Sequence, residues 1–136
     1  MADPTHEQVI RVVAAVIVDD QGRVLLVRKR GTTAFMQPGG KVDPGESALE
    51  ALQRELAEEL DVVVPAAQIR ALGRHVAAAA NEPDHLVDAD LFMVTLDGEP
   101  RAAAEIDQIA WIDPAAPGDI ELAPLTQQAV FTLLRS

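Results

Sequence analysis

The chain has 136 residues, the size of one ordinary domain with a single core, and 49% of them are apolar while only 3% are aromatic. A formal net charge of −11 excludes a protein that tracks along a nucleic-acid backbone, because phosphate contacts need clustered Lys and Arg. The absence of cysteine excludes a disulfide framework, a thiolate nucleophile and Cys-ligated zinc.

With so few rings, Ala, Val, Leu and Ile must build the core, and Phe35, Phe92, Trp111 and Phe131 are its large pieces. The first eight residues are polar, and the apolar run 12–18 is too short for a signal peptide or a membrane span. A soluble, cytoplasmic protein is the expectation. Residues 9–18 are dense in β-branched side chains and stop at Asp19-Asp20-Gln21-Gly22, a turn signal, so residues 23–30 read as the returning strand of a hairpin. Both are apolar almost throughout, which predicts strands covered on two faces. At the end of the second strand, period-two geometry puts Arg28 and Arg30 on one face and Lys29 on the other. They are either a solvated strand end or a phosphate clamp.

Residues 31–38 form a loop or short strand with Phe35 and Met36 as apolar contacts. Pro38-Gly39-Gly40 must then turn sharply, and its bare backbone can approach a ligand. Ser47 with Glu50 three residues on is a capping box, which opens a helix. Leu49, Leu52, Leu56 and Leu60 form its buried stripe. Glu55, Glu58 and Glu59 fall in a sector of about 100° beside that stripe. Like charges at these spacings, near a helix C-terminus, cost a few tenths of a kcal/mol each. Between positions 43 and 61 seven acidic residues surround a single basic one, Arg54. That is either a solvated acidic face or a cation site.

Asp61 stands where the helix should stop, and aspartate tolerates the left-handed conformation such a stop requires. Residues 62–64 are at most a strand fragment. Residues 69–80 and 86–96 read as two strands joined by the polar loop 81–85, in which Asn81, Glu82 and His85 are either substrate contacts or a plain surface turn. After a turn at 97–100 and an alanine-rich linker to Glu105, residues 106–112 read as a strand with Trp111 in the core. The spacing of Leu122, Leu125, Ala129 and Leu133 predicts a helix over residues 122–134 that covers the sheet. No internal repeat or low-complexity linker interrupts this order.

Gly40, Glu46, Arg54, Glu55, Leu56, Glu58, Glu59 and Val62 follow one spacing: Gly, five residues, Glu, seven residues, Arg-Glu-apolar-any-Glu-Glu, then two residues and an apolar one. This stretch resembles the Nudix box, the signature of hydrolases that cleave nucleoside diphosphates linked to another group. The departure is Asp61, where that family usually has glycine. The resemblance implies an α/β fold, an α/β/α sandwich with a mixed sheet and the box as a loop-helix-loop at one edge, formed by residues 1–136 as one domain.

Hard carboxylate ligands select Mg²⁺, or Mn²⁺ in its place. By resemblance, Glu55, Glu58 and Glu59 bind the ion, joined by the backbone carbonyl of Gly39 or Gly40. Glu55 is the first choice of general base and Glu105 the second, with an exposed strand entry as the alternative role for Glu105. Glu46 and Arg54 hold the loop to the helix by a salt bridge rather than touching the scissile bond, Arg54 being counted with Glu55 and Glu105 in the catalytic group. Arg28, Arg30, Lys41 and Phe35 are substrate candidates, Lys41 being either a phosphate contact or solvated.

The implied function is MutT-like hydrolysis of a nucleoside triphosphate to the monophosphate and pyrophosphate. ADP-ribose, other sugar nucleotides and dinucleoside polyphosphates stay open as substrates, as does a noncatalytic nucleotide sensor. A calcium-binding module lacks its Asp-rich twelve-residue loop. The expected partner is a small nucleotide rather than nucleic acid or membrane, and a homodimer is compatible with the sequence.

Overall fold

In this computed structural model, which describes residues 8–135, strand β1 (Gln8–Ile17) lies inside the molecule and organises the rest. The polar N-terminus before Gln8 lies outside the described residues. Val13, Ala15 and Ile17 point into one core, while Ala14 and Val16 point into a second core on the opposite face. Strand β2 (Val24–Lys29) alternates the same way, Leu25 and Val27 to the first core, Val24 and Leu26 to the second. Continuous apolarity therefore meant burial on both sides, as predicted.

The predicted hairpin does not form. β1 pairs antiparallel with β3 (Gly39–Lys41) and parallel with β5 (His85–Val94), whose other edge carries β4 (Ile69–Ala78), giving a mixed four-stranded sheet in the order β3-β1-β5-β4. β2 instead pairs antiparallel with β6 (Ile106–Ile112) in a second sheet. A single bridge, Val18 to Val24, marks the corner at the predicted turn. The turn signal was sound, but each strand needed apolar cover on both faces, and two sheets supply more of it than one hairpin. Phe35 and Met36 extend the smaller sheet: Met36 exchanges backbone hydrogen bonds with Val27, and Phe35 with Glu121 and Ala123.

Helix α1 (Ala48–Leu60) covers the first core. Ser47 and Glu50 form the capping box, and Leu52, Leu56 and Leu60 are fully buried, each worth about 1.5–3 kcal/mol of burial. Ala51 is buried with them, whereas Leu49 is only half-buried. The C-terminal helix covers the second core with Leu125, Val130 and Phe131. It starts at Pro124, later than predicted, because Leu122 is held in a parallel bridge to Phe35. Its first turns over Thr126–Val130 are wide π-type turns before α2 (Phe131–Arg135). Residues 62–64 form no strand. No helix among the described residues is long and apolar enough to cross a membrane.

Candidate active site

A cleft of about 900 Å³ opens where β3, the polar side of α1, the end of β2, the loop after β4 and the start of the C-terminal helix meet. Glu55, Glu58, Glu59 and Glu105 line it on one side, with Lys29, Arg30 and Lys41 among them, while Asn81 and Glu82 line it from the loop after β4. The box residues and the 97–105 loop, far apart in sequence, are brought together here.

The three helix carboxylates sit at graded depths. Glu59 is 6% exposed and accepts a hydrogen bond from the Gly39 N–H at 3.0 Å. Burial pushes its carboxyl up to about 7, with the charges of Glu55 and Glu105 adding to the shift and the Gly39 amide and Lys29 opposing it. Glu55 is also raised by burial, against the pull of Arg54. Glu58 is over half exposed.

Arg54 holds this side of the site together. Its Nε and Nη2 donate to Glu46 at 2.7 and 2.8 Å, its Nη1 to Glu55 at 2.6 Å, and its Nη2 to the Lys41 carbonyl at 3.1 Å. This fork holds the Glu46 carboxyl down at about 2, and the carboxylates in turn raise Arg54 above its ordinary value, Glu46 contributing most. The predicted loop-to-helix salt bridge is therefore present, and the same guanidinium orients Glu55.

The two glycines have different reasons to lack a side chain. At Gly39, with φ of 152°, a Cβ would lie 2.0 Å from the Val13 carbonyl oxygen, so close pairing of β3 with β1 requires its absence. At Gly40 a Cβ would lie 2.5 Å from Glu55 Oε2. Gly40 thus leaves the space in which the Glu55 carboxylate sits. Among the described residues no three carboxylate or imidazole groups already stand in ion-binding geometry. Still, the donors on this wall are all oxygen, the Gly40 cradle is shaped around one of them, and such a set suits a hard divalent cation.

Two substrate candidates are placed elsewhere. Phe35 is buried in the second core, and Arg28 lies over its ring at 5.5 Å while pairing with Asp107 at 2.8 Å, so neither lines the cleft. Arg28 stays on the second-core face with Val24 and Leu26, and Lys29 follows Leu25 and Val27 towards α1, so the two lie on opposite faces as alternation predicts; Arg30, beyond a register shift in the pairing with β6, reaches the cleft along with Lys29. Lys29, weighed with its neighbours as part of a phosphate clamp, was left out of the substrate candidates because alternation separates the two faces of a strand without telling which of them the cleft uses. His85 is turned to the Pro83 carbonyl and does not line the cleft. Gln37 and Thr126 were also missed. Both are buried, both line the cleft, and Thr126 donates to Gln37, which donates to the Ala15 carbonyl. Neither stood out along the chain, Thr126 heading the polar run Thr126-Gln127-Gln128 and Gln37 opening the Pro38-Gly39-Gly40 segment.

Asp61 closes α1 in the left-handed conformation, φ 57° and ψ 42°, as its place required. The carbonyls of Glu59 and Leu60 accept from the amides of Ala103 and Arg101. Glu105 is delivered from this same loop, next to Ala104 with φ of 52°.

The chain is similar to several known proteins. An 8-oxo-dGTP diphosphatase of Haemophilus influenzae is 37% identical over 67 residues, which are 46% of this chain and 49% of that protein. An RNA pyrophosphohydrolase of Halorhodospira halophila is 46% identical over 48 residues, 35% of this chain and 26% of that protein. The chain thus spans about half or less of the length of these relatives. In fold it is similar to the MutT NUDIX hydrolase of Burkholderia pseudomallei, with a TM-score of 0.72 at 23% identity, covering 94% of this chain and 96% of that one. The model of the NUDIX domain matches residues 9–132, most of the chain, and the chain belongs to the Nudix family.

Proposed function

We propose that this protein is a Mg²⁺- or Mn²⁺-dependent pyrophosphohydrolase of small nucleotides, with a nucleoside triphosphate as the first substrate class and the monophosphate and pyrophosphate as products. The supporting observation is that Glu55, Glu58, Glu59 and Glu105 line one cleft together with Lys29, Arg30 and Lys41. A diphosphate needs both cationic side chains for its oxygens and carboxylates for a metal and a water. Nudix hydrolases are generally dependent on divalent metals, and the relatives include a protein named 8-oxo-dGTP diphosphatase.

Glu55, Glu58 and Glu59, with a carbonyl of Gly39 or Gly40, would hold the cation. When bound, it would neutralise phosphate charge and acidify water at the scissile phosphorus. Glu55, oriented by Arg54, takes the water's proton, with Glu105 as the second carboxylate within the cleft. Lys29, Arg30 and Lys41 hold the phosphate oxygens, and Glu46 keeps Arg54 in place. Residues 1–136 act as one catalytic domain, working in the cytoplasm.

A second reading, a nucleoside diphosphate carrying another organic group such as a sugar, draws on the cleft's size: about 900 Å³ is near the top of the range for small-molecule sites. Product analysis over a panel of nucleoside triphosphates, sugar nucleotides and dinucleoside polyphosphates with Mg²⁺ separates the two. Glu58→Gln should lower turnover about 100-fold or more on whichever member is cleaved. Tight binding with no turnover anywhere in the panel would replace the enzyme with a nucleotide sensor.

A further inference from the structure

The loop that carries Glu105 is fastened to the end of α1 by three contacts. The Arg101 amide donates to the Leu60 carbonyl at 2.9 Å, the Ala103 amide donates to the Glu59 carbonyl at 3.0 Å, and the Arg101 guanidinium pairs with Asp61 at 2.8 Å. Asp61 is an unexpected choice for its backbone. It occupies the left-handed region at the helix stop, where glycine carries no steric penalty and aspartate does. What the side chain adds is its ion pair. It also brings a cation to a helix terminus whose last turn has no basic residue and ends in Glu58, Glu59 and Asp61.

Beyond Arg101 the chain is tightly specified up to the site. The Ile106 amide donates to the Ala103 carbonyl, Ala104 is held at φ of 52°, and the Glu105 carbonyl accepts from the Arg30 amide at 2.8 Å. Between the latch and β6 there is little slack, so the hold on Arg101 and Ala103 sets where the Glu105 side chain enters the cleft beside Glu59.

We infer that the Asp61–Arg101 ion pair is a positioning latch: it holds the 97–105 loop on the C-terminus of α1 and thereby sets the place of Glu105 relative to the box carboxylates. Asp61 trades backbone ease for this hold, and neither residue touches substrate. The inference rests on the reading of Glu105 as a cleft carboxylate that serves the reaction.

Both partners are largely exposed, 59% for Asp61 and 76% for Arg101, so the effect is modest, a two- to fivefold change in the latched population. In Asp61→Gly, kcat should fall about two- to fivefold with KM within twofold, while Tm stays level or rises because glycine suits the left-handed stop. A residue of merely structural value would lower Tm together with activity. Arg101→Ala should match Asp61→Gly, and Arg101→Lys should retain most of the activity. In a Glu105→Gln background Asp61→Gly should have no further effect, and in Asp61→Gly the Arg101 and Ala103 amides should exchange faster with solvent.

Unchanged kcat in both Asp61→Gly and Arg101→Ala, or an equal loss with and without Glu105, overturns the inference. If Glu105→Gln keeps full kcat, or no panel substrate turns over, the functional reading fails separately. Amide exchange then decides the latch itself: faster exchange in Asp61→Gly upholds it, and unchanged exchange overturns it.

Discussion

Replacing each of two adjacent glycines by alanine should damage this protein in different ways. At Gly40 the backbone is not in the left-handed region, so alanine is conformationally acceptable; what its Cβ meets is the Glu55 carboxylate, at 2.5 Å from Oε2, 2.6 Å from Cδ and 2.9 Å from Oε1. Since ordinary contact begins near 3.4 Å, the carboxylate must retreat by about 1 Å, and misplacement of that size can cost about 100-fold in rate. The retreat also strains the 2.6 Å bond from Arg54. Because a flexible side chain absorbs the clash, Tm should move by no more than about 3 °C.

At Gly39 the same methyl would lie 2.0 Å from the Val13 carbonyl oxygen and 2.9 Å from the Ala14 Cα. These are backbone atoms of the central strand, which have nowhere to go, and the φ of 152° is itself costly for alanine. Gly39→Ala should therefore lose about 3–5 kcal/mol of stability. Steady-state kinetics on the best panel substrate, together with thermal unfolding of both variants, makes the comparison. If Gly40→Ala keeps more than a tenth of wild-type kcat, or melts as early as Gly39→Ala, the assignment of that space to the Glu55 carboxylate is wrong.

Leu56→Ala, at a position with no exposure under the centre of α1, should cost about 2–5 kcal/mol in urea unfolding, with a smaller loss indicating that the first core collapses around the gap. Thr126→Val keeps the shape but leaves Gln37 Oε1 without its donor in a buried place; about 1–3 kcal/mol should be lost, and an unchanged midpoint would mean another group satisfies Gln37. Glu46 is held at about 2, below its ordinary 4.5, by Arg54. Its contribution is therefore present above pH 4.5 and lost as pH falls through 2. Wild type should be more stable than Glu46→Gln at pH 6, and the gap should close on acidification; a gap that stays constant from pH 6 to pH 2 removes the linkage.

Much of the site was legible along one helix. The capping box, the Leu52, Leu56 and Leu60 stripe, the Glu46–Arg54 pair and the left-handed Asp61 all depend on residues within about two turns or one loop of each other. Local spacing specifies them, because an α-helix puts every third and fourth side chain on one face. It could not specify how deeply each glutamate would lie. Glu59 is buried and raised to about 7 while Glu58 is exposed, a difference created by Gly39 and β1 packing over one side of the helix.

The sequence by itself determined the strands other than β3, whose Gly39 and Gly40 were read as a sharp turn, together with the box and the need for cover on both faces of β1 and β2, since these follow from composition and short-range periodicity. Only the tertiary structure decided that β1 pairs with β5 and β3 while β2 joins β6, that the cleft opens on the face of Lys29 and leaves Arg28 on Phe35, and that the 97–105 loop delivers Glu105 to the box. Strand pairing and cleft assembly depend on which distant segments best bury a shared surface. That competition among whole arrangements leaves no local trace, and it is why Asp61, a departure when read along the chain, becomes the anchor of a loop forty residues later.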